Sequence, residues 1–297
     1  MIDKISTKAE VIEEVEVNGY ALQYASPDLL GDKDVVLAAV SQDAGALQFA
    51  SDKLKGDRDV VMAAVSQHGL ALQYASEDLK DDIEVVLTAV RKNNPALEFA
   101  SAELKADKEV VLEAVNGYGW ALEYASEDLR GDRDFILEVV SQGPGSLEYV
   151  SEDLRGDREV VLEAVRHYGQ ALRYASDELK NDREVVLEAV NGDGWALQYT
   201  SEELLGDKEV VMAAVKQNGN ALDYASDELK GDRDVVLTAV EDDWEALQYA
   251  SIDMRNDREV VLAAVRDHWE ALRYAGDDLL YEVAECWENA IKQGLIN

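Results

Sequence analysis

The chain has 297 residues, 63 of them acidic and 28 basic, for a formal net charge of −35. A charge of that size rejects polyanions, so direct binding to DNA, RNA or an anionic membrane surface is not expected, whereas a basic protein surface would be attracted. Hydrophobic residues make up 47%, enough for a sizeable core, and the single cysteine, Cys286, excludes an internal disulfide framework.

From the start of the chain, Met1 to Ile12 carries no basic segment followed by an apolar run, and no later stretch reaches the ~20 apolar residues of a membrane span. The expected location is cytoplasmic, or outside the producing cell after export without a classical signal.

From Thr7 onward one 25-residue unit recurs, and the sequence reads as eleven tandem copies. An aromatic residue returns at every step from Tyr24 and Phe49 to Tyr249 and Tyr274, with a leucine two places before it, Leu22 to Leu272. Asp32 is taken as position 1 and Gly56 as position 25. Position 1 is Thr7 in the first copy and Asp in the other ten, both good helix N-caps. Position 3 is acidic in those ten copies (Asp34, Asp59, Glu84 and onward), as suits the positive end of a helix.

The run after it, such as Val35-Val36-Leu37-Ala38-Ala39-Val40, predicts a helix whose apolar positions 5, 6, 8 and 9 form the packing stripe. Position 13 is Gly in six copies (Gly19, Gly69, Gly119, Gly169, Gly194, Gly219) and Asn94 in another, which predicts a left-handed residue just past the helix end. A short second helix follows, as in Ala71 to Ala75, with Pro95 fitting its first turn. Position 20 is Ser in ten copies, and Ser26-Pro27-Asp28-Leu29 predicts a capped third turn of 3₁₀ character. The expected fold is an all-α solenoid: an N-terminal cap over residues 1–6, the repeats over 7–281, and a C-terminal capping helix over 282–297.

Asp182-Arg183-Glu184-Val185-Val186-Leu187-Glu188-Ala189-Val190, followed by Gly194, Ala196-Leu197 and Tyr199, resembles a bacterial repeat family catalogued as domain of unknown function 4116. Asp182 to Lys230 carries the pattern almost without deviation, and the likeness extends over about Thr7 to Leu280. Ile83 departs from it at a basic position, Val150 and Thr200 at an alanine, and Trp244 and Trp269 at the turn glycine. The resemblance implies helical repeats in bacterial proteins, including those of intracellular bacteria and some viral or mobile elements. It brings no reaction, cofactor or catalytic residue.

The residues themselves point away from chemistry. His68, His167 and His268 fall in turns several units apart, and a zinc site needs three or four converging ligands, so no metal and no cofactor is expected. Asp-x-Asp pairs such as Asp57-Arg58-Asp59 lack the loop of a calcium site and read as helix caps. The acids recur as part of every unit, so none stands out as half of a catalytic dyad, and no serine stands out as a nucleophile. The aromatic at position 18 reads as core, because Phe replaces Tyr at Phe49 and Phe99. No enzymatic activity is expected.

Two surfaces remain. Positions 12 and 14 vary while the frame holds, as the ligand-facing places of a solenoid do. Among them Tyr20, His68, Leu70, Tyr118, Trp120, Tyr168, Gln170, Trp195 and Asn220 form a candidate partner-binding edge, rich in the aromatics that dominate hot spots. Positions 21 and 22 supply an acidic ladder: Glu77, Asp78, Glu127, Asp128, Glu152, Asp153, Asp177, Glu178, Glu202, Glu203, Asp227 and Glu228. Basic residues at positions 2 and 24 offset part of it. The expectation is a non-enzymatic protein that binds a basic protein partner. In its sharper form it is a bacterial or phage antagonist, or an effector, that imitates a polyanion. The alternative is a scaffold or spacer recognised through the aromatic edge.

Overall fold

The computed structural model describes residues 7–143, 145–266 and 268–281, and among these every regular element is helical, with no strand. The expected caps over 1–6 and 282–297, with Cys286, lie outside the described residues. The chain divides into two compact units, Met1–Ser151 and Glu152–Asn297. Each is a helical array built from the same motif: a longer α-helix, a 3₁₀ helix and one short helical turn.

The motif follows from its caps. Asp32 Oδ1 accepts the N–H groups of Asp34 at 3.1 Å and Val35 at 3.3 Å, which starts the helix Lys33–Gln42. Asp43 ends it in an extended conformation (φ −146°, ψ 116°) and its Oδ1 accepts Gly45 N–H at 2.8 Å. One residue therefore closes the first helix and opens the next, Ala44–Phe49. That second element is 3₁₀ and the third, Asp52–Lys55, is α, so the characters expected from the sequence are reversed. Six residues between two fixed corners leave room for i→i+3 bonds such as Ala46 N–H to the Asp43 carbonyl (2.9 Å). In the second compact unit Arg183–Gly192, Asp193 and Gly194–Tyr199 repeat the pattern, although the turn that follows, Leu204–Gly206, is itself 3₁₀.

The buried stripe of the long helix is positions 4, 5, 8 and 9, not 5, 6, 8 and 9. Val35, Val36, Ala39 and Val40 are buried while Leu37 is only half-buried. At about 100° per residue, positions 4 and 8 nearly eclipse, and position 6 turns away from them. Leu47 and Ala46 of the 3₁₀ helix and Leu54 of the short helix complete the core, and their counterparts such as Ala71, Leu72 and Leu79, or Ala196, Leu197 and Leu204, do the same.

The glycines of position 13 are not left-handed. Among the described residues a positive φ occurs at Gly117 (75°) and Gly145 (84°), and neither is at position 13. The cause is close approach of the following repeat. A Cβ on Gly19, Gly169 or Gly194 would stand 2.5 Å from the carbonyl oxygen of Ala39, Ala189 or Ala214, and one on Gly69 or Gly219 would be closer still. Asn94 meets the same crowding with chemistry: its Nδ2 donates to the Ala114 carbonyl.

Successive repeats are also stitched through the backbone. The N–H at position 20 donates to the carbonyl at position 24 of the preceding repeat, as in Ser51 to Leu30, Ser76 to Lys55 and Ser226 to Leu205, each at 2.9 Å. The rings at position 18 are not core. Phe49, Tyr74, Phe99, Tyr124 and the later ones are half-buried, and Tyr24 is exposed. The 3₁₀ helix turns Ala46 and Leu47 inward and leaves the ring at its rim.

Candidate functional site

The carboxylates fall into two populations. The first belongs to positions 1 and 3, which the basic residue at position 2 of the preceding repeat clamps as a pair. Lys33 Nζ lies 2.8 Å from Asp57 and 2.7 Å from Asp59, and Lys208 Nζ lies 2.8 Å from Asp232 and 3.2 Å from Asp234. Arg183 bridges Asp207 at 2.8 Å and also pairs with Glu209, and Arg58 and Arg233 do likewise with the acids ahead of them. The Lys33, Arg158 and Arg183 cations hold Asp57, Asp182 and Asp207 below the usual carboxylate range, helped by N–H donors of the first turn and opposed by partial burial. Ile83 occupies the clamp place before Asp107 and presents no cation to it. The sequence shows the basic residue, but its two partners lie 24 and 26 residues ahead, a spacing that has meaning only once the stacking register is known.

The second population is the expected acidic ladder. Glu77, Asp78, Glu127 and Asp128 in the first compact unit are exposed, as are Glu152, Asp153, Asp177, Glu178, Glu202, Glu203, Asp227 and Glu228 in the second. They open the short helical turns, and the position-20 to position-24 backbone bonds tie each turn to the next. Within each compact unit the pairs therefore recur along one edge. Among them Lys80 reaches Glu77 at 2.8 Å, Lys180 reaches Asp177 at 3.8 Å, and Asn181 Nδ2 donates to Glu203 at 3.5 Å.

The variable edge lies on the 3₁₀ helices. In the first compact unit Tyr20, His68 and Leu70 line one groove of about 480 Å³ with Asp43, Gln67 and Tyr74. Tyr20 sits edge-on to Phe49 (5.7 Å, 76°), over Gly45, where a Cβ would stand 2.5 Å from its hydroxyl oxygen. Tyr118 is 57% exposed, and Trp120 packs edge-on to Tyr124 at 6.2 Å. In the second compact unit Tyr168 is exposed, and Trp195 meets Tyr224 edge-on at 6.0 Å. Gln170 Nε2 donates to Asp193 Oδ2 at 2.8 Å, and Asn220 Nδ2 donates to Asp243. Those two side chains join neighbouring repeats.

Sequence reasoning missed that positions 14, 17 and 18 share a surface. Where position 17 is Arg, its guanidinium covers a ring. Arg173 lies 4.6 Å over Tyr174, and Arg273 lies 4.6 Å over Tyr274 and 5.5 Å over Trp244. Arg273 also stands 3.8 Å from the Glu245 carboxylate, and Trp244 stacks on His268 at 5.5 Å. Other rings have acidic neighbours instead. Burial, then the Glu98 and Glu123 carboxylates, push the Tyr124 hydroxyl above its ordinary pKa; burial and acidic neighbours do so at Tyr149 and Tyr249. A residue spacing of three marks one edge of a 3₁₀ helix, and that signal was hidden while the segment read as α.

Among the described residues no three of His, Cys, Asp and Glu gather as a metal ion would require, and no helix is long and apolar enough to cross a membrane. The histidines have other company: His167 Nε2 lies 3.1 Å from Glu163, and His268 lies on Trp244.

The family described as "Domain of unknown function (DUF4116)" matches at residues 11–55, 57–105, 107–155, 157–205, 182–230 and 232–280. The overlapping matches at 157 and 182 begin one repeat apart. No curated protein and no solved structure matches the chain.

Proposed function

The chain belongs to the DUF4116 family, and we propose that it is a non-enzymatic acidic repeat protein that binds a protein partner through a basic surface. The observation that carries this reading is the division of its carboxylates. Except after Ile83, those at positions 1 and 3 are engaged by the cationic clamps, whereas those at positions 21 and 22 stand outside the clamps, exposed at the edge of each compact unit. Regularly spaced carboxylates of this kind can stand in for phosphates, so the sharper form is an inhibitor that occupies the basic cleft of a nucleic-acid-handling protein, as a bacterial or phage antagonist or an effector. No nucleic acid and no membrane is the direct partner, because the net charge of −35 opposes both.

The test is a titration of a basic DNA-binding protein into the full chain at rising sodium chloride. Mimicry predicts affinity falling steeply, by about 10³-fold or more between 50 and 200 mM salt, as for phosphate recognition, and displacement by duplex DNA. A flat salt profile would sink it. The exposure of Tyr118 and Tyr168 favours a second reading, a scaffold recognised through its aromatic edge. In that case Trp120→Ala with Trp195→Ala abolishes binding, and charge substitutions barely alter it.

A further inference from the structure

We infer that Asn116 is a self-modifying site: attack by the Gly117 backbone nitrogen expels its side-chain amide, and water leaves aspartate or isoaspartate in its place. The inference does not rest on the basic-partner reading.

The sequence offers four places for this chemistry: Asn18-Gly19, Asn116-Gly117, Asn191-Gly192 and Asn218-Gly219. Glycine favours the reaction because it has no side chain to obstruct its own nitrogen and leaves the main chain free to turn. The glycine N–H gives its proton to hydroxide, and the nitrogen bonds to the asparagine Cγ. The Cγ–Nδ2 bond breaks and Nδ2 leaves as ammonia. Water then opens the five-membered imide. Cleavage between nitrogen and Cγ gives aspartate, and cleavage between nitrogen and the main-chain carbonyl carbon gives isoaspartate. Water and hydroxide are the co-reactants.

The fold holds three of the four steps shut. Asn191 and Gly192 lie in the helix Arg183–Gly192, and Asp193 N–H still donates to the Ala189 carbonyl beyond them at 2.9 Å. Gly19 is buried against the next repeat, where a Cβ would stand 2.5 Å from the Ala39 carbonyl oxygen, and Asn18 Oδ1 accepts Tyr20 N–H at 3.1 Å. Gly219 is buried too, and its nitrogen donates to Asp242 Oδ2 at 2.7 Å. Asn218 Oδ1 accepts Asn220 N–H at 3.0 Å. Closing the ring at any of these must first open a helical turn or a joint between repeats.

Asn116 is placed differently. Its helix, Lys108–Val115, stops before it, and Val115 to Tyr118 form a type II turn. Asn116 has φ −56° and ψ 110°, Gly117 has φ 75°, and Tyr118 N–H donates to the Val115 carbonyl at 2.9 Å. Asn116, Gly117 and Tyr118 are exposed, and nothing lies within 4 Å of where a Gly117 Cβ would stand. Rotation about the Asn116 Cα–C bond, with loss of that turn hydrogen bond, brings the Gly117 nitrogen against the side-chain carbon. The product puts a new carboxylate two residues from Tyr118 on the variable edge. The isoaspartate form also lengthens the main chain by one carbon within the turn.

The test incubates the full-length protein in mildly alkaline buffer, draws samples over weeks and maps tryptic peptides by mass spectrometry. Each of the four steps falls in a different tryptic peptide. Asn116 is expected to convert about tenfold faster or more than any of the other three, whose reaction waits on local opening of structured segments. In urea the four rates are expected to converge. Asn116→Gln, whose longer side chain disfavours the ring, is expected to leave its peptide unchanged over the same time. If another of the four converts as fast as Asn116 in the folded protein, or Asn116 leads by the same factor in urea, the fold does not select the site and the inference is overturned. It is equally overturned if the peptide bearing Asn116 gains no acid.

Discussion

Gly194→Ala and Gly192→Ala lie two residues apart and should change stability in opposite directions. At Gly194 an added Cβ would stand 2.5 Å from the Ala214 carbonyl oxygen and 3.1 Å from both the Cβ and the N of Asn218. Two of those three atoms are backbone of the next repeat, so the clash cannot be relieved by a rotamer change. Overpacking of this kind costs about 1–3 kcal/mol. The loss of glycine's freedom in the unfolded chain returns about 0.4–1 kcal/mol. The net expectation is a loss of about 1–2 kcal/mol. Ala44 stands at the same position of another repeat and is buried there, so a methyl is accommodated where the neighbours are built around it. That bounds the cost and argues against outright unfolding. At Gly192, the last residue of the helix Arg183–Gly192, the nearest atom to an added Cβ is the Val165 carbonyl oxygen at 3.9 Å. Only the unfolded-state term remains, and the variant should gain about 0.4–1 kcal/mol.

Urea unfolding of both full-length variants gives the sign. Tandem repeats can lose two-state cooperativity, so a local readout is needed as well. Asn218 N–H donates to the Ala214 carbonyl at 3.0 Å, the very oxygen that the Gly194 methyl would displace. Its hydrogen exchange should accelerate in Gly194→Ala and not in Gly192→Ala. If Gly194→Ala proves as stable as Gly192→Ala, close approach is not what holds glycine at position 13.

Three further outcomes follow from the packing and the clamps. Leu122→Ala removes a fully buried side chain at position 16 and should cost about 2–5 kcal/mol, read as an earlier thermal or urea transition. Asp57, Asp182 and Asp207 have folded-state pKa values below the unfolded carboxylate value, chiefly through Lys33, Arg158 and Arg183. Their contribution is therefore present above about pH 4 and is lost as the pH falls through the depressed folded values. Urea midpoints should hold near neutrality and drop on acidification. Ile83→Arg should restore the missing clamp to Asp107 and Glu109 and add roughly 0.2–1 kcal/mol at low salt, a gain that about 1 M sodium chloride should erase.

Much of the frame was legible because its causes are local. An aspartate that caps its own helix needs no partner beyond the next three residues, so Asp32, Asp57 and Asp182 announced their helices directly. What was not legible has causes in the neighbouring repeat or in a geometry too short to print a period. Glycine after a helix ordinarily signals a left-handed residue, and nothing in the letters of Gly194 distinguishes that from a carbonyl pressing against it. Six residues such as Gly194 to Tyr199 cannot display a 3.0-residue period against one of 3.6. The rim position of Tyr124 followed only from the 3₁₀ geometry. Burial at position 4 instead of 6 had a different source, since an unbroken apolar run such as Val35 to Val40 offers more than one stripe. The candidate surfaces were legible as variable or acidic places, but which acids were already occupied was not.

That occupancy decides how a charge of −35 is to be understood. A uniformly acidic surface would be expected to act at a distance and to discriminate little among basic proteins. Here the clamp at position 2 sets one cation against two carboxylates, so positions 1 and 3 are drawn into the joint between repeats and left with one negative charge in excess. The pairs at positions 21 and 22 are not held by that clamp. Because the clamps join repeats through the first group, substitutions in the second can vary from repeat to repeat without touching the clamps. An array arranged in this way can change what it binds while keeping what it is built from. Position 17, which is Gln, Glu, Asp or Arg from copy to copy beside the constant aromatic of position 18, is the place where that freedom is used most plainly.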